Sequence, residues 1–270
     1  VMSLLPLKTV RADVTIDRSS GIPAGLEDKP RYSFFVREAL TDILREKGII
    51  SGSESYSGII MYSPNDDDYK AVGWNDIIEC NYRYSYPYFI LGDDQLNINN
   101  VRYHVYIEYN FISDVIKNST FNVYNKDREA INIYGDSISN DIYTYGPNEN
   151  AFYADYTVSA NELGENEIPG FLITLPNGHS ASDIEIYEGL IYSADELDSS
   201  VNVNIASKVI SDGANKEPYK LDSYDYPDNY SGSRSCYKDL TFVITNENGD
   251  KNYFPVKYNV TIAENHILLD

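Results

Sequence analysis

The run Leu240-Thr241-Phe242-Val243-Ile244-Thr245-Asn246-Glu247-Asn248-Gly249-Asp250-Lys251-Asn252-Tyr253-Phe254-Pro255-Val256-Lys257-Tyr258-Asn259-Val260-Thr261-Ile262 decides the fold class. Leu240, Phe242 and Ile244 recur at every second position, and so do Phe254, Val256, Tyr258, Val260 and Ile262. A period of two puts each set on one face of an extended chain, the pattern of a strand with one buried side. Between the two runs, Asn248-Gly249 provides residues that tolerate positive φ, as a tight hairpin turn requires. Pro255 is the discordant residue, because a proline has no N–H for the ladder and belongs at edges or bulges.

The same period spreads outward through the chain. Val101, Tyr103, Val105, Ile107, Tyr109 and Phe111 share one face of a strand over 101–111, with Arg102, His104, Tyr106, Glu108 and Asn110 on the other. Near the start, Val10, Ala12, Val14 and Ile16 alternate with Arg11, Asp13, Thr15 and Asp17. Shorter β-branched and aromatic runs predict strands at 58–62, 86–91, 120–124, 129–134, 151–158, 169–175, 183–192 and 201–210. One helix stands against this trend, from about Ser33 to Lys47: Val36, Leu40, Ile43 and Leu44 line one side, and Gly48 supplies the stop. The expected fold is all-β, an antiparallel immunoglobulin-like sandwich with one α-helix near the N-terminus. The Ser-, Asn-, Asp-, Gly- and Pro-rich segments 63–69, 137–150 and 211–235 read as long surface loops.

Charge divides the chain near residue 50. Of 21 basic and 42 acidic side chains, residues 1–50 hold 8 and 7, which leaves 13 and 35 for residues 51–270. The expected organisation is a strand-plus-helix segment, 1–50, packed on an acidic, Tyr- and Asn-rich sandwich body, 51–270, divisible into two smaller sandwiches. A net charge of -21 repels phosphate backbones, so nucleic acid is not an expected partner. No apolar run approaches the ~20 residues of a membrane-spanning helix. The opening Val1-Met2-Ser3-Leu4-Leu5-Pro6-Leu7 lacks the architecture of an intact signal peptide and suggests a processed start. Cys80 and Cys236 are too few to define a disulfide framework, and a bridge between them is left open.

Few residues point to catalysis. His104, His179 and His266 lie at no metal-ligand spacing from one another or from a cysteine. Gly178-His179-Ser180-Ala181-Ser182 is similar to a nucleophile elbow, but Asp183-Ile184-Glu185-Ile186-Tyr187 continues as a strand where the chemistry needs a helix. The adopted reading is a hairpin turn, and no enzyme activity is expected. Asn65-Asp66-Asp67-Asp68 and Gly92-Asp93-Asp94 offer the oxygen donors that Ca²⁺ takes, without EF-hand spacing; they read as solvated acidic turns, and no cofactor is expected. The 26 tyrosines admit two roles. Tyr82, Tyr84, Tyr86 and Tyr88 alternate, which suits one face of a strand and equally a platform for sugar rings or a protein partner. Tyr224, Tyr226 and Tyr230 fall in a loop and form the candidate ligand-contact group.

Two stretches resemble the fimbrillin family, the type V pilins of Bacteroidales and their accessory tip subunits. Leu5-Pro6-Leu7-Lys8-Thr9-Val10-Arg11-Ala12-Asp13-Val14-Thr15-Ile16 is similar to the strand that opens the family's C-terminal domain. Lys251-Asn252-Tyr253-Phe254-Pro255-Val256-Lys257-Tyr258-Asn259-Val260-Thr261-Ile262 is similar to its closing strand. The resemblance implies a transthyretin-like sandwich, export as a lipoprotein to the cell surface, and assembly by donor-strand exchange with itself or other pilus subunits. It implies assembly strands at Val10, Ala12, Val14 and Ile16, and at Phe254, Val256, Tyr258, Val260 and Ile262. The resulting expectation is an extracellular structural or adhesive protein, a fimbrial or tip subunit that meets a host glycan or protein receptor. The alternatives are a surface carbohydrate-binding protein that uses its Tyr-rich loops, and a viral capsid or tail-fibre sandwich.

Overall fold

The alternating run near the N-terminus forms strand β1 (Leu7–Thr15), and strands dominate the chain from there to its end. The computed structural model describes residues 7–16, 18, 22–52, 54–82, 84–92, 102–134, 151–213, 215–226 and 232–264. Two units divide the chain, Val1–Arg18 with Ile22–Phe111, and Ser19–Gly21 with Ile112–Asp270. The compositional shift near residue 50 therefore lies inside the first unit.

In the first unit, β1 is followed by β2 (Phe34–Phe35), α1 (Val36–Glu46), β3 (Ile60–Ser63), β4 (Lys70–Val72), β5 (Ile77–Ile78), β6 (Tyr84–Ser85), β7 (Tyr88–Leu91) and β8 (Arg102–Asn110). The main sheet has the order β1-β8-β7-β3-β4, with β6 also on β8, while β2 and β5 form a separate pair. The helix starts where Glu38 accepts the Phe35 N–H at 2.8 Å, satisfying a donor that no helical turn reaches. Arg18 fixes that carboxylate with two bonds of 2.6 and 3.1 Å. It stops at Gly48, whose φ of 70° lets the chain turn away at low steric cost. Val36, Ala39, Leu40, Ile43 and Leu44 are buried in one cluster with Ile60, Phe89, Leu91, Val105 and Ile107 of the sheet. The expected apolar helix face thus supplies the second layer over one side of the sheet.

The second unit contains α2 (Asp114–Lys117), β9 (Thr120–Tyr124), β10 (Ala130–Ile131), β11 (Phe152–Ser159), β12 (Gly170–Thr174), β13 (Glu185–Glu188), α3 (Ala206–Val209), β14 (Tyr219–Lys220), β15 (Asp222–Ser223), β16 (Arg234–Thr245) and β17 (Lys251–Ala263). Its sheets are β10-β9-β12-β14 and β11-β17-β16-β13, with β15 on β16. One core joins Phe121, Val123, Phe171 and Ile173 of the first sheet to Phe152, Phe242, Val256, Tyr258 and Val260 of the second. This is the expected sandwich. The hairpin read from the sequence is its longest ladder, running from Arg234↔Ile262 to Thr245↔Lys251, and Gly249 turns with φ 86°. Pro255 falls one residue before the β11 ladder begins at Phe152↔Val256, where among the described residues β17 is paired with β16 alone.

Some elements depart from expectation. Residues 201–210 form no strand: Val201 and Val203 are 73% and 63% exposed, and α3 follows. The physical reason is Asn204, whose side-chain oxygen accepts the Ile186 and Ala206 N–H groups, each at 3.0 Å. It satisfies the neighbouring strand in place of a backbone carbonyl and starts the helical turn. Among the described residues the ladders are antiparallel apart from two pairs, β1 with β8 and β11 with β17. No disulfide joins Cys80 to Cys236. Cys236 is buried in the second core, and burial pushes its thiol pKa up. The whole of the expected 137–150 loop lies outside the described residues, as do Asp93, Asp94 and Tyr230.

Candidate functional site

The two expected assembly strands occupy unlike places. Among the described residues β1 stands at the edge of its sheet, paired on one side alone, in unbroken parallel register with β8 from Leu7↔Arg102 to Thr15↔Asn110. Val10, Ala12 and Val14 are half-buried against the first core and Ile16 is buried. β17 is internal, with β11 on one side and β16 on the other. Its Phe254, Val256, Tyr258, Val260 and Ile262 are all buried in the second core. Removing β17 would open both ladders and that core together, whereas β1 contacts one neighbour.

On the first sheet, the face away from α1 carries the most elaborate polar and aromatic cluster. The alternation read over 101–111 holds across 103–107: Tyr103, Val105 and Ile107 are buried, and His104 and Tyr106 are half-exposed on the opposite side. β6 and β7 keep one register along β8, Tyr84↔Asn110 and then Tyr88↔Tyr106, with Tyr86-Pro87 between them. The alternating tyrosines therefore belong to one interrupted strand path, with Tyr88 half-exposed and Tyr86 47% exposed. Both roles allowed by the sequence fit this arrangement, because Tyr86 and Tyr88 stand on this strand path and keep part of their surface exposed.

Tyr106 is the centre of the cluster. Arg11 of β1 lies over its ring at 4.5 Å, His104 stacks on it at a centroid distance of 4.3 Å, and Tyr88 meets it edge-on at 5.1 Å. Asp66 reaches in from the β3–β4 turn, where its φ is 61°, a left-handed conformation that Asp tolerates better than most residues. Its carboxylate is 3.0 Å from His104 Nε2 and accepts hydrogen bonds from the hydroxyls of Tyr69 and, at 3.2 Å, Tyr106. The Tyr69 hydroxyl is itself 2.7 Å from His104 Nε2. The hydrogen bond from Tyr69, with His104 and Tyr106 adding to it, holds Asp66 below its ordinary pKa. Burial, and then the Asp66 charge, push the Tyr106 phenol up. Sequence reading reached His104 and Tyr106 as a polar strand face and Asp66 as part of an acidic turn, and missed that they meet, because the turn carries no sign of where it folds back.

Beside this cluster is a groove of about 570 Å³, lined among others by Arg11, Asp13, Tyr86, Tyr88 and Tyr106. Arg11 and Asp13 are both exposed. Among the described residues, no hydrogen bond or ion pair engages either side chain. The groove joins aromatic surface to a guanidinium and a carboxylate, a mixture that binds and orients amphipathic ligands.

The other candidates resolve differently. In the second unit, Tyr224 and Tyr226 are exposed, 46% and 37%. Tyr224 packs on Tyr237 at 4.7 Å, and the Tyr226 hydroxyl accepts the Ser235 N–H at 2.9 Å. Around Ser180 the chain turns, but the turn is not the expected hairpin, because β12 and β13 on either side of it belong to different sheets. Asp183 accepts the Ser180 N–H at 2.6 Å and its hydroxyl at 3.1 Å, and Ser182 lies 2.7 Å from the same hydroxyl. Asn65 is occupied by Ser63 and the Asp67 N–H, bonds of an acidic turn. Among the described residues, no group of three His, Cys, Asp or Glu side chains is arranged to hold a metal ion. No helix among them is long and apolar enough to cross a membrane.

No known protein family matches the chain, and no characterised protein matches it in sequence. Against solved structures, it aligns with the adhesin CfaE of enterotoxigenic E. coli at 10% identity and a TM-score of 0.21, covering 98% of this chain and 99% of that one. It aligns with the EC1-2 domains of human mucin-like protocadherin at 8% identity and a TM-score of 0.18, covering 97% of each chain. Likenesses at these scores carry no argument about fold or function.

Proposed function

We propose that this chain is an extracellular structural or adhesive protein, a fimbrial or tip subunit that joins its neighbours by strand exchange with β1 as the exchanged strand. The observation that carries this reading is the asymmetry between the two strands that resemble the fimbrillin pattern: among the described residues β1 is an edge strand with one partner, and β17 is internal. An edge strand can leave and be replaced by an identical strand from another copy, with every ladder bond re-formed. Its half-buried Val10, Ala12 and Val14 supply alternate side chains that a receiving core can select. Exchanging β17 would cost its own unit the buried Val256, Tyr258 and Val260.

A lock on the strand tests the reading. Val10 and Val105 are Cα partners across β1 and β8. The double variant Val10→Cys/Val105→Cys is close to isosteric and lies within reach of a disulfide. The expected result is filaments or strand-linked oligomers from reduced protein and monomers from oxidised protein, with assembly restored by reduction. Oxidised protein that assembles as well as reduced protein would overturn the reading. So would wild-type protein that stays monomeric at every concentration and after trimming with trypsin.

A further inference from the structure

Apart from assembly, the open face of the first sheet has the properties of a ligand site. The groove beside Tyr106 is about 570 Å³, within the roughly 300–1,000 Å³ range of small-ligand pockets. Its walls come from β1, which carries Arg11 and Asp13, and from the β6–β7 path, which carries Tyr86 and Tyr88. Tyr106 forms the floor. Arg11 covers one side of its ring and His104 stacks on it, so it serves as a fixed base and leaves recognition to the residues around it. The Tyr106 hydroxyl donates to Asp66 at 3.2 Å and lies 3.3 Å from His104 Nδ1, and Tyr69 in turn bonds Asp66 and His104, so the base is held in place.

The chemistry of the groove selects its occupant. Tyr86 and Tyr88 offer aromatic surface, on which a ring with an apolar C–H face can lie. Asp13 offers two acceptors, and Arg11 offers donors around the edge of its stacked guanidinium. A donor, an acceptor and an aromatic wall in one groove suit a ligand with an apolar face and a rim of hydroxyls. A net charge of -21 and the carboxylate of Asp13 disfavour anions such as phosphates and acidic sugars. We propose that this groove is a binding site for a neutral pyranose, with Asp13 and Arg11 bonding ring hydroxyls and Tyr86 and Tyr88 packing against the sugar. Because Asp13 and Arg11 stand on β1, the site is complete only while a β1 strand is seated beside β8.

The test uses the full chain and the methyl pyranosides of glucose, galactose and mannose, titrated singly and followed by saturation-transfer NMR. At least one is expected to bind saturably. Asp13→Asn, which keeps the side chain's shape, should weaken that binding about tenfold. Tyr88→Ala, which removes the ring from the groove, should weaken it about tenfold. Tyr226→Ala, in the other unit, should leave it unchanged. Unaltered amide spectra of the first two variants show that they remain folded. Absence of binding by all three sugars would overturn the proposal, as would binding that survives both Asp13→Asn and Tyr88→Ala. Binding of a blocked Lys-Tyr-Lys peptide in place of the sugars would overturn it in favour of a peptide site. Binding is read on single chains, so a failure to form filaments leaves the result standing.

Discussion

Arg11 and Tyr106 are partners twice over: their Cα positions face each other across the β1–β8 ladder, and the guanidinium carbon lies 4.5 Å from the centroid of the ring. The contact clamps an edge strand to its single neighbour from the solvent side, while Val10, Ala12 and Val14 hold it from the core side. An exposed cation–π pair contributes about 0.5–1 kcal/mol. Arg11→Ala should therefore accelerate hydrogen exchange of the β1 amides several-fold and leave those of β17 unchanged. Equal acceleration in both strands would mean that the contact supports the chain globally and not the edge.

Lys238 lies on the core-facing side of β16, between Cys236 and Leu240, with its side chain 6% exposed. Its ammonium is 3.1 Å from Glu188 and 3.2 Å from Asp222, and lies over the ring of Tyr219. The carboxylates are about half exposed, so water screens much of their charge. Lys238→Ala removes both the stem and the charge and should cost about 2–3 kcal/mol. Lys238→Met keeps the packing, leaves the carboxylates to water, and should cost less than about 1.5 kcal/mol. Urea unfolding midpoints separate the two; equal losses would show that the charge and not the stem supports the core.

Alkaline stability follows from the tyrosines. Burial pushes Tyr62 and Tyr156 up to about 12, and burial together with bonds to Glu185 and Glu188 does the same for Tyr187 and Tyr219. Tyr258, deep in the second core, is raised as well. These folded-state values lie above the unfolded value of about 10. The stability they contribute is thus fully present below about pH 10 and is lost as pH rises through the folded values. Phenolate absorbance from these residues should appear together with the loss of β-sheet circular dichroism above pH 10. Phenolate that forms fully while the sheet signal stays native would contradict their burial.

Gly170 opens β12 opposite Lys220, and a Cβ there would come within 2.7 Å of the Pro218 Cβ and 3.2 Å of its carbonyl carbon. Because one neighbour is backbone, relief requires β14 to shift. Gly170→Ala should destabilise the second unit by about 1–3 kcal/mol, as overpacking does elsewhere. Calorimetry would register this as a lower Tm; an unchanged Tm would mean that β14 yields without cost.

Much of this architecture was legible in local pattern. The hairpin around Asn248-Gly249, the apolar side of α1 and the two faces of β8 each follow from periodicity and turn chemistry, which are set by neighbours in the chain. The strand expected at 201–210 failed because Asn204 spends its side chain on Ile186 and Ala206, a bond to a distant strand that competes with continued extension. Likewise, the alternation of Tyr86 and Tyr88 was visible, but whether their face was covered depended on the side taken by α1.

By itself, the sequence determined the period of each strand, the places where the chain turns, and the acidic charge, since these depend on residues close together or on totals. Only the tertiary structure decided that β1 is an edge strand and β17 an internal one, although their sequences alternate alike. It also decided that Asp66 meets His104 and Tyr106, and that Arg11 and Asp13 share a groove with Tyr86 and Tyr88. The physical reason is that strand order and turn placement join residues distant in the chain, and period-two alternation specifies a face without specifying the neighbour on either side.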